Sequence, residues 1–237
     1  MAQKRKLSLS ERNEEVRSPK PLPIQFPLDE ILRHFTENLN TVKAQFEVAD
    51  RLEAEGRNTD RDTVWRSQIV LAEGLLDFYI HELSKRCLYR MFIGIWQKSE
   101  KYSGFLVPMS GVEEALASAE SQDWFFNYLN DRFSRDVFLS HESMRDQLNL
   151  IGVGFTETME KAYPDLDQKE ACRKGTSVVS RLFARRNAIA HQNDRDHATA
   201  IQRSISKTEV EQYIADIETI VNAMHGVAVG KDSAADE

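Results

Sequence analysis

Two cysteines in 237 residues, Cys87 and Cys172, are too few for a disulfide framework and lack the paired spacing of a zinc site. Both are expected as core thiols of a reducing compartment. Ten glycines and six prolines, four of those prolines before residue 28, leave few turn-formers for a many-stranded fold. No run of about 18 apolar residues exists to span a bilayer, and the first residues, with Lys4, Arg5 and Lys6, lack the apolar segment of a signal peptide. A cytoplasmic protein without membrane contact is therefore expected. A glycine-rich phosphate loop, a His-Glu-x-x-His zinc helix and a Gly-x-Ser-x-Gly elbow are all missing, and His34, His81, His141, His197 and His225 stand singly at no metal-ligand spacing. These absences predict neither metal nor cofactor.

What is present is a 41% hydrophobic complement, enough for one sizeable core, and a net charge of −7 that is unevenly shared. Residues 168–203 hold eight Lys or Arg against three Asp or Glu, +5 in all, which leaves −12 for the rest of the chain. Such a local cationic zone suits a phosphate-bearing substrate. It equally suits a solvated helix face, and Arg181 and Arg185, which project away from the apolar stripe, are open to that reading.

Residues 1–25 are polar, proline-containing and without helical or strand period, and are expected to be disordered. From Pro27, the residues Ile31, Leu32, Phe35, Leu39, Val42, Phe46 and Leu52 predict a long helix that ends near Gly56. A second runs from about Thr63 to Gln97, with Leu71, Leu75, Phe78 and Glu82 on one face and Leu76, Ile80, Leu83, Cys87 and Met91 on another, so that it should be central. Ser110 and Glu113 have capping-box spacing for a short helix, and Ser121–Phe138 supplies an aromatic one. Further helical segments are expected at about 140–150 and 154–162, then a helix from Gln168 to His191, and a last one capped by Ser206 and Glu209 that stops at Gly226. The resulting fold class is all-α: a bundle of two long antiparallel helices and a C-terminal helix pair, with a short-helix insertion at about 105–165 and an acidic, disordered tail at 227–237. The insertion is rich in Trp and Phe, as a docking surface or a core would be.

The segment Arg185-Arg186-Asn187-Ala188-Ile189-Ala190-His191-Gln192 sets a permanent cation and an imidazole at the tail of an apolar helix. Projected at about 100° per residue, Val179, Leu182, Phe183, Ile189 and Ala190 form one stripe with Arg186 in its middle. A buried-face arginine requires an anion: either an internal acid, with Glu73, Asp77 and Glu82 of the second long helix as candidates, or a ligand. His191 alone would serve as a cation at a helix C-terminus.

An arginine followed directly by asparagine, with a histidine closing the run, a polar loop and one more amphipathic helix, resembles the signature of the HEPN superfamily of all-helical domains. The resemblance covers residues 26–226. It implies a metal-independent endoribonuclease that pairs as a homodimer, so that two motifs face one RNA phosphodiester and leave 2′,3′-cyclic phosphate and 5′-hydroxyl ends. Catalytic roles then fall to Arg186, whose planar fork matches phosphate oxygens, to His191 as acid or base, since histidine ordinarily titrates near 6.5, and to Asn187 as an orienting group. Arg185 and Arg181 would bind RNA, and His197 lies near in the polar loop. The resemblance further implies a toxin or phage-defence effector held silent by a cognate antitoxin or defence-system partner. The alternative is a non-catalytic helical module that binds RNA, a nucleotide or a protein through the same groove.

Overall fold

The computed structural model describes residues 25–117 and 123–235, so the expectation for residues 1–24 lies outside the described residues. Among the described residues eight α-helices account for the fold: α1 Leu28–Ala54, α2 Asn58–Phe92, α3 Met109–Ala117, α4 Asp123–Phe133, α5 His141–Leu150, α6 Phe155–Ala162, α7 Gln168–Gln192 and α8 Lys207–Ala235. None of them is long and apolar enough to cross a membrane.

The three-residue link Glu55–Arg57, with Gly56 at φ 74°, folds α1 and α2 into a hairpin. α2 then contacts α1, α4, α7 and α8, and takes the centre of the bundle. Its interior face, however, is carried by Ile69, Ala72, Leu76, Tyr79, Ile80, Leu83, Cys87 and Met91. Of the second face expected from the sequence, Leu71 is exposed and Leu75 and Phe78 are only half-buried. Periodicity alone cannot tell a core stripe from an apolar edge when a helix is ringed by leucines.

Two helix ends differ from expectation, and each turns on glycine. α2 ends at Phe92 rather than Gln97 because Gly94 takes φ 80°, a left-handed conformation that lets the Ile95 and Trp96 N–H groups return to the Arg90 carbonyl. It also begins earlier, at Asn58 rather than about Thr63, and in that added stretch Arg61 bridges back to Glu53 and lies over the Trp65 ring. α8 does not stop at Gly226, nor is the chain beyond it free of structure up to Ala235. Val227 and Ala228 are buried, and Asp232 is held by Arg86, Arg90 and the Trp96 indole. Gly226 is a packing glycine: a Cβ there would lie 2.2 Å from Lys161 Cε of α6.

The Ser206 cap holds, its hydroxyl accepting from the Glu209 N–H at 3.2 Å. At α3 the expected box does not form, since Ser110 lies inside a helix that starts at Met109 with Pro108 accepting its first bonds. α4 is shorter than the expected aromatic helix, of which Ser121 lies outside the described residues. Beyond α4, the chain crosses α2 with its Phe138 N–H donating to Asp77. The insertion's aromatics are mostly core: Phe125, Phe126, Phe133 and Phe138 are buried, and Phe126 meets Tyr89 edge-on. The insertion is also not peripheral throughout, because α6 packs against both α7 and α8. The approach of α6 to α7 is made possible by Gly175, where a Cβ would fall 2.0 Å from Met159 Sδ.

Candidate active site

α7 starts on the Asp167 side chain, which accepts from the Glu170 N–H at 2.8 Å, and ends on Asn193 in the left-handed conformation. Val178, Val179 and Leu182 are buried, Phe183 and Ile189 half-buried, and Ala190 is exposed while Ala188 is buried in its place. The helix thus rolls slightly off the projected stripe, and Arg186 comes to its edge, half-buried.

There the three expected groups converge. Arg186 Nη1 donates to Asn187 Oδ1 at 3.0 Å and lies 3.5 Å from His191 Nε2. His191 itself is exposed. The Nε2 lone pair is free to face the guanidinium only when that nitrogen carries no proton. Arg186 Nε is buried without a hydrogen-bond partner, and no carboxylate closes an ion pair on Arg186 among the described residues.

Of the three acids proposed to neutralise Arg186, Asp77 instead accepts from Phe138 N–H and Glu82 from Lys85. Glu73 lies closest to the role. It is fully buried, its Oε1 is without a partner, and its Oε2 lies 2.6 Å from Tyr213 Oη, which also lies 2.9 Å from the Leu182 carbonyl. Burial pushes its carboxyl up to about 7, against the opposing pull of the Tyr213 hydrogen bond and the Arg186 charge. Burial and the same carboxyl raise the Tyr213 phenol. Glu73 and Tyr213 therefore form a polar layer behind the motif. Tyr213 reads in the sequence as one more apolar residue of α8, and the signal for Glu73 is an acid placed four residues after Ile69 and three before Leu76 on the interior face of α2.

The two arginines expected to grip RNA are engaged inside the chain. Arg181 pairs with Asp216, and Arg185 pairs with Glu209 at 2.7 Å and with Asp194, while its Nη2 donates to the Ser204 carbonyl. Asp194 is fully buried and also accepts from Arg66 Nε at 2.8 Å, with Arg66 Nη2 donating to the Arg203 carbonyl. This cluster ties the loop after the motif to α2 and α8. Within the loop, Asp196 Oδ1 accepts from the Ala198 and Thr199 N–H groups, and His197 is exposed, away from the hydrogen bonds of the motif. Within the +5 segment Arg173, Arg181 and Arg185 are answered by carboxylates, and Arg186 is the motif cation left without one among the described residues.

A family model described as RiboL-PSP-HEPN matches residues 30–229. The chain belongs to the HEPN family. No curated protein and no solved structure matches it. The HEPN membership agrees with the all-helical architecture and covers the span from the third residue of α1 to the last third of α8. In this HEPN domain the motif lies on an open surface at the end of α7. A cavity of about 710 Å³, lined by Met91, Trp96, Lys98, Asn149 and Lys231, lies instead where α2 ends.

Proposed function

We propose that this HEPN protein is a metal-independent endoribonuclease of the cytoplasm that acts as a homodimer. The observation that carries the reading is the Arg186 guanidinium, left without a carboxylate and held against Asn187 and His191 at an exposed helix end. An arginine in that state has spare donors for an incoming phosphate, and its charge stays fixed at any working pH.

Cleavage of RNA without a metal requires removal of the proton from the ribose 2′-hydroxyl, attack of that oxygen on the adjacent phosphorus, and protonation of the departing 5′-oxygen. The products are a 2′,3′-cyclic phosphate and a 5′-hydroxyl. One His191 serves as base or as acid but not as both at once. Two-fold pairing supplies the second imidazole and a second Arg186, whose combined charge stabilises the phosphorane-like transition state. Asn187 orients the guanidinium, and Glu73 lies behind it as an internal carboxyl. By analogy with the family, the setting is a toxin or phage-defence effector restrained by a cognate partner.

The test incubates the purified chain with total RNA in EDTA, beside Arg186→Ala and His191→Ala. Cleavage by the parent alone, with cyclic phosphate ends, is the expected result. Binding of RNA by all three without any product would instead assign the chain to the non-catalytic class. Mixing the parent with excess His191→Ala tests the composite site: a cleft that needs both imidazoles loses its activity as heterodimers form, whereas independent sites keep the activity of the parent protomers.

A further inference from the structure

α3 is amphipathic in the wrong sense for a monomer. It packs on α4, yet the residue it buries there is Gly111, which Tyr128 and Val107 approach so closely that a Cβ would lie 2.9 Å from Val107 Cγ1. Its large aliphatic side chains point away. Met109, Val112 and Leu116 recur at helical spacing, Leu106 stands in the non-helical segment just before the helix, and Met109, Val112, Leu116 and Leu106 are 72%, 39%, 75% and 83% exposed. An outward stripe of four such residues is of the few-hundred-Å² size that marks an interaction surface. The rest of the insertion does not share the feature, since its Phe residues are spent in the core.

Charge decides among the occupants. Residues 102–131 contain five acids and no Lys, Arg or His. Glu113 and Glu114 stand beside the stripe, and among the described residues neither has a basic partner. A second copy placed on the stripe would bring Glu113 and Glu114 of each chain together, four carboxylates in all, while Lys101 and Arg132 beside Leu106 are already held by Asp146 and Asp136, which opposes self-docking. RNA and an anionic membrane are repelled in the same way. A polypeptide that brings its own cations meets both demands. We propose that Leu106, Met109, Val112 and Leu116 form a docking surface for a partner protein that presents apolar anchors flanked by lysine or arginine.

The surface is separate from the motif. α4 runs along α2 from Phe92, which Phe125 meets, to His81, which Phe133 meets, nineteen to eight residues beyond Glu73, or about 28 to 12 Å at the rise of an α-helix. The proposal does not depend on the chain being a nuclease, and its failure leaves the RNA test untouched.

The probe is a fluorescent amphipathic peptide of about 18 residues, five helical turns, with leucine at i, i+3, i+4 and i+7 and lysine elsewhere, beside the same peptide with glutamate for lysine. Anisotropy with the full chain is expected to show one-to-one binding of the lysine peptide, weakened by about tenfold or more in Leu116→Glu and in Glu113→Lys with Glu114→Lys. The glutamate peptide stays free, and added salt weakens the complex. Leu116 is exposed, so circular dichroism should find that variant folded. Equal affinity for parent and Leu116→Glu overturns the proposal, as does equal binding of the two peptides. Two further results also overturn it. One is a parent oligomer that Leu116→Glu disperses, which makes the occupant a second copy. The other is a gain in peptide affinity on Lys4→Glu, Arg5→Glu and Lys6→Glu, which makes the occupant the chain's own N-terminal segment.

Discussion

Glu73→Gln isolates the buried carboxyl that lies behind the motif. Glu73 has no solvent access, and burial lifts its folded-state pKa from an ordinary 4.5 to about 7. The Tyr213 hydrogen bond and the Arg186 charge oppose that rise without cancelling it. When Glu73 is protonated, Oε2–H donates to Tyr213 Oη and the Tyr213 hydroxyl donates to the Leu182 carbonyl, so both short contacts are satisfied. When it is ionised, one phenolic proton must serve two acceptors. Between pH 4.5 and 7 the unfolded chain has released this proton while the folded chain keeps it, so stability falls as pH rises across that window and levels off above it. That difference in proton affinity corresponds to about 3 kcal/mol. Glutamine keeps the shape and cannot ionise. Urea unfolding of parent and Glu73→Gln at intervals from pH 4.5 to 8 is therefore expected to show little difference at the acid end and a growing advantage for the variant, up to about 3 kcal/mol, by pH 8. Other titrating groups cancel in the difference because both proteins share them. A difference that stays constant with pH would refute the assignment of a proton to Glu73.

Two glycines that the sequence does not distinguish should behave oppositely. Gly175→Ala drives a methyl into Met159, with contacts as short as 2.0 Å to Sδ and 2.6 Å to Cγ, and should destabilise by about 1–3 kcal/mol in thermal unfolding. Gly226→Ala meets the far end of Lys161, which can swing into solvent, so helix propensity dominates and the variant should equal the parent or exceed it by up to about 1 kcal/mol. Deletion of residues 227–237 removes buried Val227 and Ala228 and strips Asp232 from Arg86 and Arg90, and a loss of about 3–5 kcal/mol is expected in urea unfolding. An unchanged midpoint would mean that the last turns of α8 carry no stability.

The number of helices and the place of the motif could be read from the chain because both depend on local periodicity and caps. Ser206 and the Phe35, Leu39 and Val42 series are sufficient for that. What could not be read depends on what lies opposite. Gly94 and Gly226 are the same residue in the sequence, but one ends a helix with a left-handed turn and the other admits a lysine from a neighbouring helix. Leu71 and Leu76 are likewise equivalent until the packing partners of α2 are known. At the site, Arg186, Asn187 and His191 gather because they are close in sequence. The fate of Arg181 and Arg185 is set by Asp194, Glu209 and Asp216, and the part played by Glu73 by a tyrosine 140 residues away.

The adjacent Arg185 and Arg186 show why two consecutive arginines are not redundant. Arg181 and Arg185 lie one turn apart on the α7 face that meets α8, where Asp216 and Glu209 answer them in antiparallel order. Arg186 is rotated by about 100° from Arg185, off that ladder, and faces Asn187 and His191 instead. One residue thus holds the loop while its neighbour stays available. Arg185→Ala leaves fully buried Asp194 with Arg66 as its one cation and frees Glu209, and should cost about 3 kcal/mol in urea unfolding at pH 7. Arg186→Ala breaks no ion pair and should stay within about 1 kcal/mol of the parent, while RNA cleavage in EDTA disappears. If Arg186→Ala proves as unstable as Arg185→Ala, the guanidinium is a structural support of the polar layer around Glu73 and Tyr213, and loss of cleavage in that variant would say nothing about chemistry. A stable, folded and inactive Arg186→Ala beside a destabilised Arg185→Ala is the pattern that separates the two roles.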